Sequence, residues 1–199
     1  EVCKKYNAIT YIDEVHAVGL YGETGAGICE RDNIEVDIVN GTLAKAFGVQ
    51  GGYIAGKREF IDAIRSMASA FIFTTSLSPT ICAGALTSIK YVKDHPELRE
   101  KLQERAKKTK EEIERQGIEV LKNDSHIVPV IIGDPKKCKA VSDELLYKNG
   151  IYVQPINWPT VARGTERLRF TPTPFHTDAH IFDMVVKLKS ALKRCGKKK

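Results

Sequence analysis

Short apolar runs separated by glycine-rich connections mark the first part of the chain. Residues 9–12, 36–39 and 52–56 form three such runs, each largely apolar. Runs of this kind are typical of buried strands in a mostly parallel sheet. The pattern therefore predicts an α/β arrangement for this region.

Helical spacing of apolar residues begins directly after the third run. Residues 57–70 and 79–93 are predicted helices, and the stretch between them is first apolar and then rich in hydroxyl groups, including Thr74 and Thr75. Asp94 can cap a new helix, and Pro96 is tolerated only in a first helical turn. We therefore place a domain boundary near residue 94.

The chain after this boundary alternates helices and strands again. A charged helix is predicted to stop at Gly117, and Asn149 with Gly150 is predicted to close another helix. The further predicted elements are strand 127–132, helix 135–148, strand 151–153, an irregular loop 154–165, strand 167–170 and helix 177–194. This order predicts a large domain, residues 1–94, and a small α+β domain, residues 95–199.

Composition indicates an ordinary globular protein without a membrane partner. The chain has 199 residues, of which 42% are hydrophobic and 28% are charged, and no apolar run approaches the length of a membrane span. Five scattered cysteines, without paired spacing or nearby histidine clusters, predict reduced thiols of an intracellular protein. They predict neither a disulfide framework nor a metal site.

The net charge of +6 owes part of its size to the last helix and to Lys197, Lys198 and Lys199. Nucleic-acid binding is the competing explanation, but no binding motif accompanies these charges. We predict a solvated helix end and a frayed terminus, and no nucleic-acid partner. At the other end, Glu1 is followed almost at once by a strand that we expect to be buried, which predicts that an N-terminal part is missing.

Lys45 stands apart from the other lysines because its neighbours are small or apolar. It lies in residues 40–48, just beyond a predicted strand, and Gly51 and Gly52 follow. In a setting of low polarity an ammonium group loses hydration, so the lysine pKa falls and the neutral amine can form a Schiff base. The alternative is a structural lysine that extends from the end of a buried strand into water.

Asp13 and His16 close the first predicted strand, where ligands of open α/β sheets bind. A carboxylate there can hold a proton on a heterocyclic nitrogen, and a histidine can donate to a phenolic oxygen. A metal site and a simple capped turn are alternatives, although no third metal ligand is nearby. Together with Lys45, the pair describes a pyridoxal phosphate (PLP) site, and Thr42, Thr74 and Thr75 can supply hydroxyl groups to its phosphate.

Three blocks of sequence resemble the 5-aminolevulinate synthase family within the α-oxoamine synthase group. They are residues 13–32, which begin Asp-Glu-Val-His-Ala-Val-Gly-Leu-Tyr-Gly, residues 41–55 around Lys45, and residues 150–169. The resemblance covers essentially the whole chain. It implies PLP-dependent fold type I, with the end of the large domain and the small C-terminal domain present.

The resemblance also implies a role for each candidate residue around the cofactor. Lys45 would carry the cofactor and then act as the base that removes a glycine α-proton. Asp13 would hold the proton on the ring nitrogen, His16 would bond the phenolic oxygen, and Thr42 would contact the phosphate. Thr74 and Thr75 would reach the phosphate of a partner subunit, which implies a homodimer with shared active sites.

Two further residues match substrate positions of the family. Arg169 would pair with the glycine carboxylate, a bidentate task that lysine performs poorly, whereas the alternative is a surface ion pair. Thr160 would contact the acyl substrate from a loop that resembles an active-site lid. Trp158 departs from the family pattern, in which tyrosine is more familiar.

The resemblance implies the condensation of glycine with succinyl-CoA, which releases CoA and CO2 and begins tetrapyrrole and haem synthesis. A bacterial cytoplasm and a mitochondrial matrix are both compatible with it. Another α-oxoamine synthase, such as 2-amino-3-ketobutyrate CoA ligase, is one alternative. A non-catalytic product that acts through dimerisation is the other, because the half of the family that holds the ring-stacking residue and most CoA contacts is not in the sequence.

Overall fold

The computed structural model describes residues 1–196, so the prediction of a frayed end at Lys197–Lys199 lies outside the described residues. The chain divides into two compact units, Glu1–Arg99 and the residues from Glu100 onward. Among the described residues, no helix combines the length and apolar character needed to cross a membrane.

The first unit contains a three-stranded sheet with short and long helices. Its elements are α1 (Val2–Lys5), β1 (Tyr11–Asp13), α2 (Ile28–Arg31), β2 (Ile38–Thr42), β3 (Gly52–Gly56), α3 (Arg58–Met67), α4 (Ser69–Ile72) and α5 (Pro79–Asp94). The helix α6 (Pro96–Arg115) begins in this unit and continues into the second. The break predicted between α5 and α6 is confirmed.

The sheet of the first unit has the order β1-β2-β3, with one parallel and one antiparallel pair. The mostly parallel sheet predicted from the sequence is therefore only partly present in this chain. The prediction that β1 is buried is wrong, since Tyr11 is 56% exposed and Ile12 is 39% exposed. The described residues leave both faces of this strand open to solvent, so its apolar composition does not report burial here.

One predicted helix of the first unit is divided in the structure. Residues 57–70 form α3 and the separate short α4, because Ala68 takes an extended conformation between them. The core of the unit lies under the loop that follows β2, where Leu43 and Phe47 pack with Val18 and Ala85 of α5. This loop is thus anchored by apolar side chains at two points.

The second unit packs helices on a three-stranded antiparallel sheet. Its further elements are β4 (Val128–Ile131), α7 (Pro135–Asn149), β5 (Gln154–Ile156), β6 (Arg167–Phe170) and α8 (Asp178–Gly196), with the strand order β4-β6-β5. Asp134 caps α7 by accepting a hydrogen bond from the Lys137 N–H at 2.6 Å. Gly150 closes the helix in the left-handed conformation at φ 67°, as predicted from the sequence.

The strand predicted at residues 151–153 is wrong, because pairing with β6 begins only at Gln154. The Ile151 N–H donates to the Leu145 carbonyl at 2.9 Å, and the Val153 carbonyl accepts from the Ser142 hydroxyl at 2.8 Å. The first bond completes the C-terminal turn of α7 and the second holds the chain against a side chain of the same helix, so neither group takes part in a strand ladder.

Leu168 on the central strand β6 is fully buried, and the sheet and helices of the second unit pack around it. Leu168→Ala is expected to lower the free energy of unfolding by about 2–5 kcal/mol, because it removes apolar contacts and leaves a cavity. Leu146→Ala, at a position that is 37% exposed, is the matched control and is expected to cost less than about 1 kcal/mol. Denaturant unfolding of the full-length protein measures both, and equal losses would contradict this assignment of the core.

Candidate active site

The predicted site residues of the first unit lie at one edge of its sheet. Asp13 ends β1, Thr42 ends β2, and Lys45 follows three residues later. The two strands are parallel, and Asp13 lies opposite Asn40 in the register. Because the carboxyl ends of parallel strands meet at the same edge, the structure brings Asp13, Thr42 and the start of the Lys45 loop together there.

The loop that carries Lys45 is closed by backbone hydrogen bonds. The Leu43 N–H donates to the Gly51 carbonyl at 2.9 Å, and the Val49 N–H donates to the Leu43 carbonyl at 3.0 Å. Leu43 and Phe47 are buried, whereas Lys45 is exposed. The predicted low-polarity surroundings of Lys45 are therefore wrong for the described residues, since its apolar neighbours turn inward and leave the lysine in solvent.

Asp13 ends β1, and His16 lies on the tight turn that follows it. The Val15 N–H donates to Asp13 Oδ1 at 2.9 Å, which fixes one carboxylate oxygen. Both Asp13 and His16 are exposed. The turn is therefore ordered by the chain itself while its two functional side chains face outward.

A glycine contact joins this turn to the lysine loop. Gly19 has φ +82°, and a Cβ placed on it would lie 2.5 Å from Ala46 Cβ. No side chain fits in that space, so glycine is required for the two loops to approach this closely. The structure thus places the residue next to Lys45 against the segment that contains His16.

Thr42 and the segment after α4 meet the same loop from another side. The Thr42 hydroxyl donates to the Gly51 carbonyl and accepts from the Ala44 N–H, both at 3.2 Å. A Cβ on Gly51 would lie 2.8 Å from Leu77 Cδ2. The chain that carries Thr74 and Thr75, both exposed, therefore runs to within contact of Gly51 just before α5 begins.

Arg169 lies in the second unit, on β6, and lines a cavity of about 570 Å³ within that unit. Its Nε atom is buried and has no hydrogen-bond partner. The cavity combines apolar walls with donors, and its lining includes Gln154, Thr171, His176, Ile181 and Met184. A buried guanidinium nitrogen without a partner is costly, so a hydrogen-bond acceptor at Arg169 Nε would be favourable.

Thr160 lies in the irregular loop between β5 and β6 and is exposed. Its N–H donates to the Asn157 carbonyl at 3.0 Å, and the Arg163 guanidinium stacks 5.0 Å from the centre of the Trp158 ring. Thr160 is not among the residues that line the Arg169 cavity. The loop therefore has internal structure that the sequence pattern did not predict.

Glu14, which is 2% exposed, was not predicted as a site residue. Its carboxylate accepts hydrogen bonds from the Ile28 N–H at 2.9 Å and the Cys29 N–H at 2.7 Å. Its position next to Asp13 is the one feature of the sequence that could have indicated a role at the site. The pattern of apolar residues does not show which of two adjacent carboxylates turns inward. Within residues 1–196, no group of three or more His, Cys, Asp or Glu side chains could hold a metal ion.

Solved structures define the class to which this fold belongs. The chain matches Sphingomonas wittichii serine palmitoyltransferase with a TM-score of 0.90 and 29% identity, over 98% of this chain and 50% of that chain. A Francisella tularensis 8-amino-7-oxononanoate synthase matches with a TM-score of 0.78 and 24% identity over 92% of this chain and 53% of that one, which supports the fold alone. The fold is that of PLP-dependent enzymes of fold type I.

Residues 1–188 match the model of the family described as aminotransferase class I and II, and the chain belongs to this family. Two similar relatives are 5-aminolevulinate synthases. That of Bradyrhizobium diazoefficiens is 52% identical over 98% of this chain and 48% of its own length. That of Rickettsia felis is 56% identical over 94% of this chain and 46% of its own length. The chain thus spans about half the length of the curated relatives it matches.

Proposed function

We propose that the full-length protein containing this chain is a 5-aminolevulinate synthase, which condenses glycine with succinyl-CoA and releases CoA and CO2. One observation carries the proposal: the 52% identity to the Bradyrhizobium diazoefficiens enzyme extends over 98% of the chain. The sheet edge of the first unit supports it, because three of the sequence blocks' functional residues, Asp13, Thr42 and Lys45, meet there.

The residues at this edge fit PLP as the cofactor. The donor set contains a primary amine, a carboxylate, an imidazole and hydroxyl groups, which are the groups that PLP chemistry requires. Gly19 and Gly51 allow backbone approaches that a Cβ would block, and they keep the loops around Lys45 closely packed. When bound, PLP supplies an electron sink that stabilises negative charge on the glycine α-carbon.

Each side chain has a distinct task in this proposal. Lys45, exposed beyond β2, holds the cofactor and takes the glycine α-proton as a general base. Asp13 keeps a proton on the ring nitrogen, with its Oδ1 already oriented by the Val15 N–H. His16 donates to the phenolic oxygen, and Thr42 contributes to phosphate binding.

Arg169 binds the glycine carboxylate in this proposal. Its unpaired Nε and the donors of a planar guanidinium suit a bidentate contact with a carboxylate. Thr160 contacts the acyl substrate from its loop, whose closure would exclude water from the reacting carbon. Both roles are carried over from the matching positions of the family.

We further propose a homodimer in which Thr74 and Thr75 reach the phosphate bound by the partner subunit. Both residues are exposed, and so are the large apolar side chains around them, such as Phe71 and Phe73. We also retain the proposal of a large cofactor-binding domain that ends near residue 94 and a small domain from residue 95. The compartment is proposed to be a bacterial cytoplasm or a mitochondrial matrix.

A comparison of acyl donors tests the proposed function. The full-length protein, supplied with PLP and glycine, is expected to form 5-aminolevulinate with succinyl-CoA far faster than it consumes acetyl-CoA. The reason is that the most similar relatives reported above are named 5-aminolevulinate synthases. Product identity is read by mass spectrometry, and CoA release gives the rate. Protein without added glycine is the control. Preference for acetyl-CoA would assign the protein to another α-oxoamine synthase, and no reaction with either donor would support a non-catalytic role.

A further inference from the structure

Glu14 lies between the two proposed cofactor residues Asp13 and His16, yet it faces the opposite way. It is 2% exposed, whereas Asp13 and His16 are both exposed. Its N–H donates to the Asn40 carbonyl at 2.8 Å, which extends the pairing of β1 with β2 by one residue. Glu14 is therefore the point at which the end of the sheet turns into the functional loop.

The side chain of Glu14 ties this point to a segment 14 residues further on. Its two carboxylate oxygens accept separate hydrogen bonds from consecutive N–H groups, those of Ile28 and Cys29. Gly27, at φ 118°, makes the approach possible, since a Cβ there would lie 2.7 Å from Glu14 Oε2. Only glycine leaves room for the carboxylate at this distance.

The backbone of Glu14 builds the turn that carries His16. The Glu14 carbonyl accepts hydrogen bonds from the Ala17 N–H at 2.7 Å and the Val18 N–H at 2.9 Å. Because Val18 belongs to the buried core of the unit, the turn is fixed at both of its ends. A shift of Glu14 would therefore move His16 and the carboxylate of Asp13 together.

Two neighbouring groups have raised pKa values, to which burial contributes most and Glu14 contributes next. Burial, followed by a hydrogen bond to Glu14 and its charge, raises the pKa of the Cys29 thiol to about 11. Burial, followed by the charge of Glu14, also raises the pKa of the Tyr53 phenol. The Glu14 carboxylate therefore faces the interior, where backbone N–H groups and not water molecules bind it.

We propose that Glu14 is the positioning residue of the cofactor site, which holds Asp13 and His16 in place by anchoring their turn to residues 27–29. It touches no substrate and acts through its two neighbours. The inference rests on the proposed function in so far as Asp13 and His16 serve PLP. Glu14 thus has a role at the cofactor site beyond its contribution to the stability of the folded unit.

The test replaces the carboxylate while keeping its size. In Glu14→Gln the amide nitrogen cannot accept the N–H group it faces, so one buried donor loses its partner and the turn loses its anchor. The affinity of the full-length apoprotein for PLP, measured by fluorescence titration, is expected to fall about ten- to a hundredfold. The pH profile of the visible absorbance of the bound cofactor is expected to shift as well, because Asp13 and His16 set the protonation of the ring.

Glu30→Gln is the matched control. Glu30 lies on α2, next to Ile28 and Cys29, and also accepts backbone N–H groups, but from Thr24 at 3.1 Å and from Ala26 at 2.9 Å, which lie outside the turn of His16. It is expected to bind PLP as the unchanged protein does. Glu14→Asp, which keeps the charge but is one methylene shorter, serves as the second variant if Glu14→Gln does not fold, and an intermediate loss of affinity is expected.

Two results would overturn the inference: unchanged PLP affinity in both Glu14 variants, or an equal loss in Glu30→Gln. If the unchanged protein does not bind PLP, the proposed function fails, and amide hydrogen exchange in the cofactor-free protein then decides the inference by itself. Faster exchange of the Ala17 and Val18 N–H groups in Glu14→Gln than in Glu30→Gln would support it. Exchange that does not change would overturn it.

Discussion

Lys45→Ala in the full-length protein is expected to abolish the visible absorbance of the lysine-linked cofactor and to lower turnover by at least about three orders of magnitude. The amine both holds the cofactor and takes the α-proton in this account, so one substitution removes two functions. PLP can still bind to the variant without a covalent link, because Asp13, His16 and Thr42 remain. Absorbance spectra and the rate of CoA release measure the two effects.

Lys90→Ala controls for the loss of a lysine from the first unit. Lys90 lies on α5, is exposed, and belongs to none of the loops around Lys45. Its replacement is expected to leave the spectrum and the turnover unchanged. If Lys45→Ala retained turnover, or if both variants lost it equally, the assignment of Lys45 as the catalytic lysine would be wrong.

Arg169→Lys is expected to raise the KM for glycine about ten- to a hundredfold, while the KM for succinyl-CoA changes little. A hydrogen bond to a charged group contributes about 1.5–3 kcal/mol, and each 1.4 kcal/mol corresponds to about tenfold in affinity. Lysine keeps the charge but loses the planar pair of donors that a carboxylate accepts. Steady-state kinetics with each substrate varied in turn separate the two constants.

Arg167→Lys is the matched control on the same strand. Arg167 is two residues away on β6, but its guanidinium is already used, donating to the Thr165 carbonyl at 2.9 Å and the Thr165 hydroxyl at 3.0 Å. Its replacement is expected to leave the KM for glycine close to that of the unchanged protein. A rise as large as that of Arg169→Lys would mean that the strand, and not Arg169, determines glycine binding.

Helix ends were the most predictable part of this fold. The break between Asp94 and Pro96 and the helix end at Asn149 and Gly150 are confirmed, because such boundaries depend on residues that are adjacent in sequence. The predicted cap is wrong, since Asp94 ends α5 and His95 directly precedes α6. Division of the predicted helix 57–70 was not predictable, since the extended conformation of Ala68 is not encoded by a glycine or a proline. Neighbouring residues in the sequence thus predicted where helices end better than where a helix is divided.

Strand burial could not be predicted from apolar runs alone. Tyr11 and Ile12 are apolar but exposed, since burial depends on what covers a strand and not on the strand itself. Residues 151–153 are apolar as well, but the Ile151 N–H and the Val153 carbonyl bond to residues of α7 and not to a neighbouring strand. Whether a strand is covered or paired depends on residues far away in the sequence, so a local apolar run does not show it.

The candidate site was predictable in its residue types and less so in its surroundings. Asp13, Thr42 and Lys45 reach one sheet edge, as strand-end chemistry predicts. The exposure of Lys45 was not predicted, because the inward direction of Leu43 and Phe47 depends on the fold of the whole loop. Glu14 was missed for the same reason, since its partners at residues 28 and 29 are distant in sequence.

The position of the cofactor link is the most direct test of the account. Borohydride reduction of the full-length protein with bound PLP fixes the cofactor on the lysine that carries it, and peptide mapping by mass spectrometry identifies that lysine. The label is expected at a single site on the peptide containing Lys45, and no label is expected after Lys45→Ala. A label on any other lysine, or no label at all on a protein that binds PLP, would contradict the account.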